Sequence, residues 1–558
     1  MVRLYSYALK WAAATEPFCI CGIPHVSGNE PISVKRVCGF LCAVCMLSAL
    51  LASCNKPAEG PVSDPSGLTA STGGTSDVSG PDVSAPPDAS MDASSPEATG
   101  GSGNSGNASK TEGPKKTNTT TKKTESGTAL IKDLKGYEFV IAKTQYDEVQ
   151  EIELGVSDYI DAVYMRNNTI EKQYNCEIVY EYYEPQTFFQ TAQASIMSGD
   201  KFADIIDGEL FSFGSLYMNK LLYKLDDVPN LDLNSSVWMP EYKTKATFKD
   251  GTFGITSKGI NPESAISGVA VHYNKTLLDQ LMKTNKNLKD PVDHIKAGTW
   301  TWDTMREMML AARLDINGDG AYTDTDRFGA TAAAYDGIVP FFLSSGIQAI
   351  IKDSSGKIVY NLNSTEAANA MLKLSSIFTS QDGALFNSID YEKQVAMYEN
   401  GKSLFYIAAP GEKFENMSHE DAVVPVPLYK EGGKYSAAVG HNAKILSIPK
   451  TVKDPATTGL LLQAIAEAAE PEYDVYMDTE ISTLFKGTTS IDMINQYIVP
   501  GLSIDLMMFS KHNSLDVYNA TECAIANPIW DSAVKASDLV AGYGTAAQKV
   551  LDEMFNSR

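Results

Sequence analysis

The sequence predicts an α/β fold built as two lobes, and three observations carry that prediction. Strand-length apolar runs alternate with helix-period segments from Leu130 onward. Roughly 430 residues follow the last low-complexity stretch, which is more than one α/β core normally takes. No tandem repeat is visible among them, and the length fits two lobes better than one.

The first element is YEFVIA (137–142), a short apolar run read as a strand. SDYIDAVYMRNNTIEKQY (157–174) places Ile160, Val163, Tyr164 and Ile170 near one helical face. CEIVYEYY (176–183) is a second strand, residues 186–198 a second helix, and ADII (203–206) a third strand. The order is β-α-β-α-β, the signature of a parallel sheet with helical crossovers. Further on, Asn363 with Glu366 three residues later reads as a capping box. Ala370, Met371, Leu374, Ile377 and Phe378 then form the buried stripe of that helix. IVY (358–360), LFYIAA (404–409) and KILSIP (444–449) are strand-like runs.

The chain is acidic, with a formal net charge of −23 and a pI near 4.7. Such a surface repels phosphate backbones, so no nucleic-acid partner is expected. Lys35-Arg36 precedes an uncharged, largely apolar run over 37–52, then Ser53-Cys54. That run is shorter than the ~20 residues of a membrane-spanning helix but suits the apolar core of an export signal. Residues 1–33 do not fit the signal, which favours a translation start at Val34. Residues 55–128 are rich in Ser, Thr, Gly and Pro, bury too little apolar surface to order, and read as a tether. Six of the eight cysteines lie in the first 54 residues, so no disulfide framework is indicated. Cys176 and Cys523 either bridge or stay buried as small hydrophobes.

DINGDGAYTDTDRFG (315–329) carries oxygen donors at the spacing of a calcium loop. Asp315, Asn317, Asp319, Ala321 (through its carbonyl), Thr323 and Asp326 fill positions 1, 3, 5, 7, 9 and 12, with Gly320 sixth. A structural Ca2+ of modest affinity is expected, because Asp replaces the usual bidentate Glu at position 12. The alternative is a hairpin rich in turns at Asn317-Gly318 and Asp319-Gly320.

A series of stretches occurs in a telling order: GDKFADIIDGELFSFGSLYMNKLLYKLDD, DGTFGITSKG, VAVHYNKTLLDQL, TWTWDTMREM, MYENGKSLFYIA, AVVPVPLYKEGGKY and AKILSIPKTVKDP. Together they resemble the family 1 extracellular solute-binding proteins, the maltose-binding-protein-like receptors of ABC importers. The resemblance implies a type II periplasmic-binding-protein-like fold, two lobes joined by hinge-crossing strands with the ligand between them. It places lobe 1 at 129–268 and 405–452, and lobe 2 at 269–404 and 453–558. Leu51-Ala52-Ser53-Cys54 resembles a lipobox, which implies lipidation of Cys54 and anchoring on the outer face of a bacterial membrane. The implied partners are an ABC permease and a small solute, most simply an oligosaccharide, bound by a monomer. Ala203-Asp204-Ile205-Ile206 matches the family's P-D-I-I strand, after which a loop reaches the cleft, so Asp207, Glu209 and Phe211 are expected at the ligand. Tyr335 and Asp336 are expected from the second lobe, and Tyr406 and His441 from the returning segment of the first. Trp302 is expected in the core.

An enzyme would share the address and the tether. No H-E-x-x-H occurs, and no G-x-S-x-G lies in the folded part. The chain is therefore read as a binder, with a non-sugar solute such as a peptide or polyamine, or a tethered carbohydrate-active enzyme, as alternatives. A surface adhesin on a long tether is a third reading.

Overall fold

Strand β1 (Tyr137–Thr144) buries Phe139, Val140, Ile141 and Ala142 in succession, so both of its faces are covered. Alternation sorts them. Val140 and Ala142 pack with Phe188, Phe189 and Ile196 of helix α2 (Pro185–Ser198). Phe139 and Ile141 pack with Ile170 and Tyr174 of helix α1 (Asp158–Tyr174). Helix α1 starts where the Ser157 side chain accepts the Ile160 amide at 3.3 Å and stops at Asn175, which takes the left-handed conformation. These features belong to a computed structural model that describes residues 131–144, 152–379, 381–386, 388–440, 442–510 and 517–556. The predicted export signal, Cys54, the tether and His441 lie outside the described residues.

The first sheet runs β9-β3-β1-β2. Here β2 is Cys176–Tyr183, β3 is Ile205–Glu209 and β9 is Lys444–Ser447. Strands β2 and β3 lie parallel to β1, and β9 runs antiparallel to β3. The second sheet runs β7-β4-β6-β5, formed by β4 (Ala270–Asn274), β5 (Phe328–Ala332), β6 (Ser403–Ala408) and β7 (Asp421–Pro425). Strand β5 is parallel to β6, while β4 runs antiparallel to both β6 and β7.

The chain passes between the sheets through closely packed extended segments. The Val269 amide donates to the Ala438 carbonyl at 2.9 Å, and the Val439 amide donates to the Ser503 carbonyl at 3.0 Å. The short strands β8 (Ala437–Ala438) and β10 (Leu502–Ser503) pair in parallel alongside. Gly268 is required here: a Cβ on it would stand 2.6 Å from Ala437 Cβ and 2.8 Å from Leu502 Cδ2.

Three expectations change. All six residues of β6 are buried, as a central strand requires, and β6 sits between β4 and β5. The segments 403–408 and 421–425 therefore belong to the second sheet, and only β9 returns to the first. The helix α8 (Pro455–Ala468), expected in the second lobe, packs Leu461, Leu462 and Ile465 against Phe139 and Ile141 of the first. Helix α6 (Thr365–Ile377) is capped by Ser364, whose hydroxyl accepts the Ala367 amide at 3.2 Å, one residue later than the expected Asn363. Trp302 is fully buried, as expected, and Cys176 is a free thiol, so it does not bridge to Cys523.

Gly268→Ala is expected to lower stability by roughly 1–3 kcal/mol, the usual cost of overpacking. Equilibrium urea unfolding measures it, and an unchanged midpoint would show that the crossing has slack.

Candidate functional site

At the carboxyl ends of β1 and β2, beside the amino end of α1, lies a cavity of about 460 Å³. This is where α/β sheets present ligand-binding groups. Its wall includes Lys143, Tyr159, Tyr180, Tyr182, Asp207, Glu263 and Lys444, together with Tyr476 and Glu480. Lys413, on the loop that follows β6 of the second lobe, completes it. Larger hollows also occur among the described residues, about 700 Å³ beside Trp238 and Tyr473 and about 940 Å³ between α6 and residues 528–545. Neither lies at the strand ends of the sheets, so the smaller cavity is the better candidate.

The floor is built on Asp207, which is fully buried on β3. Its Oδ2 lies 3.1 Å from Lys143 Nζ, and its Oδ1 accepts from Asn261 Nδ2 at 2.8 Å. Burial alone would pull the Lys143 pKa down. The Asp207 and Glu263 carboxylates outweigh it, and the ammonium stays charged well above the ordinary lysine range. Two residues along the same face is Glu209, also fully buried, with no hydrogen bond to either carboxyl oxygen. Burial raises its pKa, and Thr144 and Lys444 oppose that only in part. The Ser212 hydroxyl is likewise buried without a partner. Buried polar groups are nearly always hydrogen-bonded, so these atoms mark a place where the chain alone leaves polar groups unsatisfied.

Aromatic rings surround these charges. Tyr180 and Tyr182 lie with ring centres 6.4 Å apart and planes 23° from parallel, and Tyr159 meets Tyr476 edge-on at 5.2 Å. Arg166, at the back, pairs with Glu472 at 2.7 Å and donates to the Tyr180 hydroxyl at 3.2 Å.

The second lobe gathers a matching cluster at the carboxyl ends of β5 and β6. The Tyr391 hydroxyl donates to Glu412 Oε1. The Tyr406 hydroxyl is buried close to both. Burial first, then the Glu412, Tyr391 and Asp336 charges, raise the Tyr406 phenol far above its usual range. Asp336 is exposed in the first turn of α5 (Ala334–Leu343).

The expected residues thus divide. Asp207 and Glu209 come together, but on a strand: β3 runs directly into helix α3 (Leu210–Met218), and the expected loop is absent. Phe211 is buried in the first turn of α3. Asp336 and Tyr406 come together on the second lobe, which corrects the placement of Tyr406 on the first. Half-buried Tyr335 donates instead to Asn527 at 2.9 Å. Lys143, Tyr159, Tyr180, Tyr182, Lys413 and Lys444 were not expected from sequence. The alternation in EIVYEYY carried the signal for the two tyrosines of β2, since positions two apart share a face.

The Asp315–Asp326 loop closes on itself within a hairpin whose ends pair through Leu314 and Arg327. Asp315 accepts the Gly318 and Gly320 amides at 2.7 and 2.8 Å, Asp319 that of Ala321 at 2.8 Å, and Asp326 those of Ile316 and Thr323 at 2.9 and 2.8 Å. Those amide bonds hold the Asp326 carboxyl below the ordinary range. Asn317 donates to Asp319, and the Thr323 hydroxyl to Asp326. The donor types suit calcium, yet among the described residues no three His, Cys, Asp or Glu side chains converge to hold a metal.

Residues 156–473, more than half of the chain, match the family described as bacterial extracellular solute-binding protein. The chain belongs to that family. This solute-binding protein shares its fold with two-lobed receptors of known structure. The GacH receptor of Streptomyces glaucescens is 12% identical, with a TM-score of 0.50 over 75% of this chain and 99% of that one. The cyclic α-maltosyl-1,6-maltose binding protein of Arthrobacter globiformis is 14% identical, with a TM-score of 0.52 over 75% and 99%. A cyclo/maltodextrin-binding protein solved with maltotetraose is 14% identical, with a TM-score of 0.51 over 75% and 97%. No curated protein matches the chain.

Asp207→Ala would leave the Lys143 ammonium without its partner and is expected to destabilise the solute-binding protein by roughly 3 kcal/mol. Adding Lys143→Met should recover part of that loss in urea unfolding, and strict additivity of the two would deny the coupling.

Proposed function

We infer that this protein captures a neutral polyhydroxy solute, an oligosaccharide, in the cleft and delivers it to an ABC permease. The observation that carries the reading is the gathering of tyrosine faces with the Asp207 and Glu263 carboxylates in the wall of one cavity. Sugars offer apolar C–H faces to rings and hydroxyl hydrogens to carboxylates such as Glu263. The charges support neutrality. Lys143 pairs with Asp207 and Arg166 with Glu472, and the remaining Lys413 and Lys444 share the wall with the Glu263 and Glu480 carboxylates. Lysines in the wall disfavour a polyamine.

In this reading Asp207, Glu209, Tyr180 and Tyr182 contact the solute from the first lobe, and Asp336, Tyr406 and Lys413 from the second. His441, Phe211 and Tyr335 are kept in the proposal at its margin. Hinge closure about the crossing segments buries the solute, a population shift driven by its higher affinity for the closed form. Binding, not bond-making, is the act. Cleavage of an oligosaccharide by the pure protein would defeat this reading.

Lipidation at Cys54 is proposed as the anchor, on the lipobox. Cys54→Ser is expected to abolish incorporation of labelled palmitate and release the protein from membranes, and retained label would refute it.

The solute is identified by thermal shift with maltotetraose, acarbose and cyclodextrins, sugars suggested by the fold neighbours, alongside amino acids and polyamines. A true ligand at 100 times its Kd adds ~2.7 kcal/mol. Stabilisation by a polyamine alone would overturn the sugar. Calcium in the Asp315–Asp326 loop is proposed as a weak occupant, because the carboxylates already serve the backbone. Calcium against chelator in the same screen is expected to change stability by less than about 1 kcal/mol. A larger rise would make the ion a principal staple of the second lobe.

A further inference from the structure

His272 on β4 is fully buried, and both of its ring nitrogens face oxygen. Nδ1 lies 2.9 Å from Asp421 Oδ2 on β7, and Nε2 lies 2.9 Å from the Ala409 carbonyl. A carbonyl oxygen only accepts, so Nε2 carries a hydrogen. An ionised carboxylate only accepts, so Nδ1 carries one too, and a ring with two N–H groups is an imidazolium. Tyr398 fixes the proton on the histidine side, because its hydroxyl donates to the other Asp421 oxygen at 2.5 Å and favours the ionised carboxylate.

What the ring holds is the segment from Ala409 to Glu420. Ala409 follows the last residue of β6, and four residues on stands exposed Lys413, in the cleft wall. Between them Glu412 accepts from Tyr391. The far part of the segment is tied separately: the Glu399 carboxylate accepts the Glu415 and Asn416 amides at 2.7 and 2.9 Å.

We propose that His272 is a positioning residue for solute capture: as a buried imidazolium it clamps the segment that presents Glu412 and Lys413 to the cleft. The groups around it agree with a cation. Asp421 faces it from β7 and Glu412 from the clamped segment, both acidic. Tyr406 of β6, Phe414 and Phe485 supply rings at 6.3, 5.5 and 6.2 Å, and His419 lies beyond, edge-on to Tyr398. Burial pulls the His272 pKa down, but Asp421, the Ala409 carbonyl and Glu412 together raise it above its reference of 6.5. The proton is therefore bound more tightly in the folded chain. Its stabilisation is complete below about pH 6.5 and is lost as pH rises through the folded value.

The test uses the full chain labelled with nitrogen-15 histidine, read by ring-nitrogen shifts between about pH 6 and 9, with amide exchange followed over residues 409–420. Expected are two protonated ring nitrogens for His272 at neutral pH. Exchange of the 409–413 amides should become roughly tenfold faster as the ring deprotonates. Asp421→Asn, which keeps the shape, should move both transitions to lower pH, and His272→Gln should exchange fast at every pH. A bare ring nitrogen at neutral pH would overturn the proposal, as would 409–413 exchange that ignores pH and both variants. The role in capture rests on the cleft reading. These readouts use no solute, so failure here leaves that reading standing, and a failed ligand screen leaves the clamp standing.

Discussion

The Asp207 carboxylate is the joint on which the first lobe is assembled. A charge shut away from water must be paired and hydrogen-bonded, and this one reaches Lys143 on β1 and Asn261 beyond the first sheet. Lys143 and Asp207 are register partners in the parallel pair. A slip of one residue would turn Lys143 into the apolar layer under α2, so the ion pair and the hydrophobic alternation specify the same register. Asn261 also donates to Thr256, which ties the approach to the crossing segment to the same carboxylate. The group that fixes the fold also lines the candidate cavity, so that part of the cavity wall is set by the sheet.

The two lobes prepare their halves of the site differently. On the first, Lys143, Tyr180, Tyr182 and Asp207 project from strands and are held by the sheet itself, which limits the entropy lost on binding. On the second, Glu412 and Lys413 ride on a connecting segment that needs its own fastening, supplied by His272 at one end and Glu399 at the other. A rigid floor facing a fastened loop suits a receptor that closes about a hinge, because the moving half keeps its shape while it travels.

Much of the architecture was legible from periodicity. Strands 137–144 and 176–183 and the first two helices announce themselves through apolar spacing, since local pattern and final environment agree there. The membership of 403–408 was not legible: LFYIAA reads as a buried strand, but which sheet buries it depends on pairing with β4 and β5, a long-range choice. In the site, Asp207 and Glu209 followed from the resemblance around ADII, although the turn into α3 comes sooner than expected because β3 extends through both residues. Lys413 and Lys444 carried no signal, being lysines in a chain with many, and the bond from Tyr335 to Asn527 was not legible because the two lie 192 residues apart.

The antiparallel strand β9 has a consequence for synthesis. The first sheet opens at Tyr137 but is finished only at Ser447, after every strand of the second sheet, the last of which ends at Pro425, has been made. Emerging from the ribosome, the amino-terminal lobe is therefore the last of the two sheets to be completed. Until Lys444 to Ser447 appear, β3 has an open edge and the Glu209 side of the sheet lacks its neighbour. A first half that waits for its second exposes that edge through most of synthesis, so the order of completion is a property of the topology and not of the local sequence.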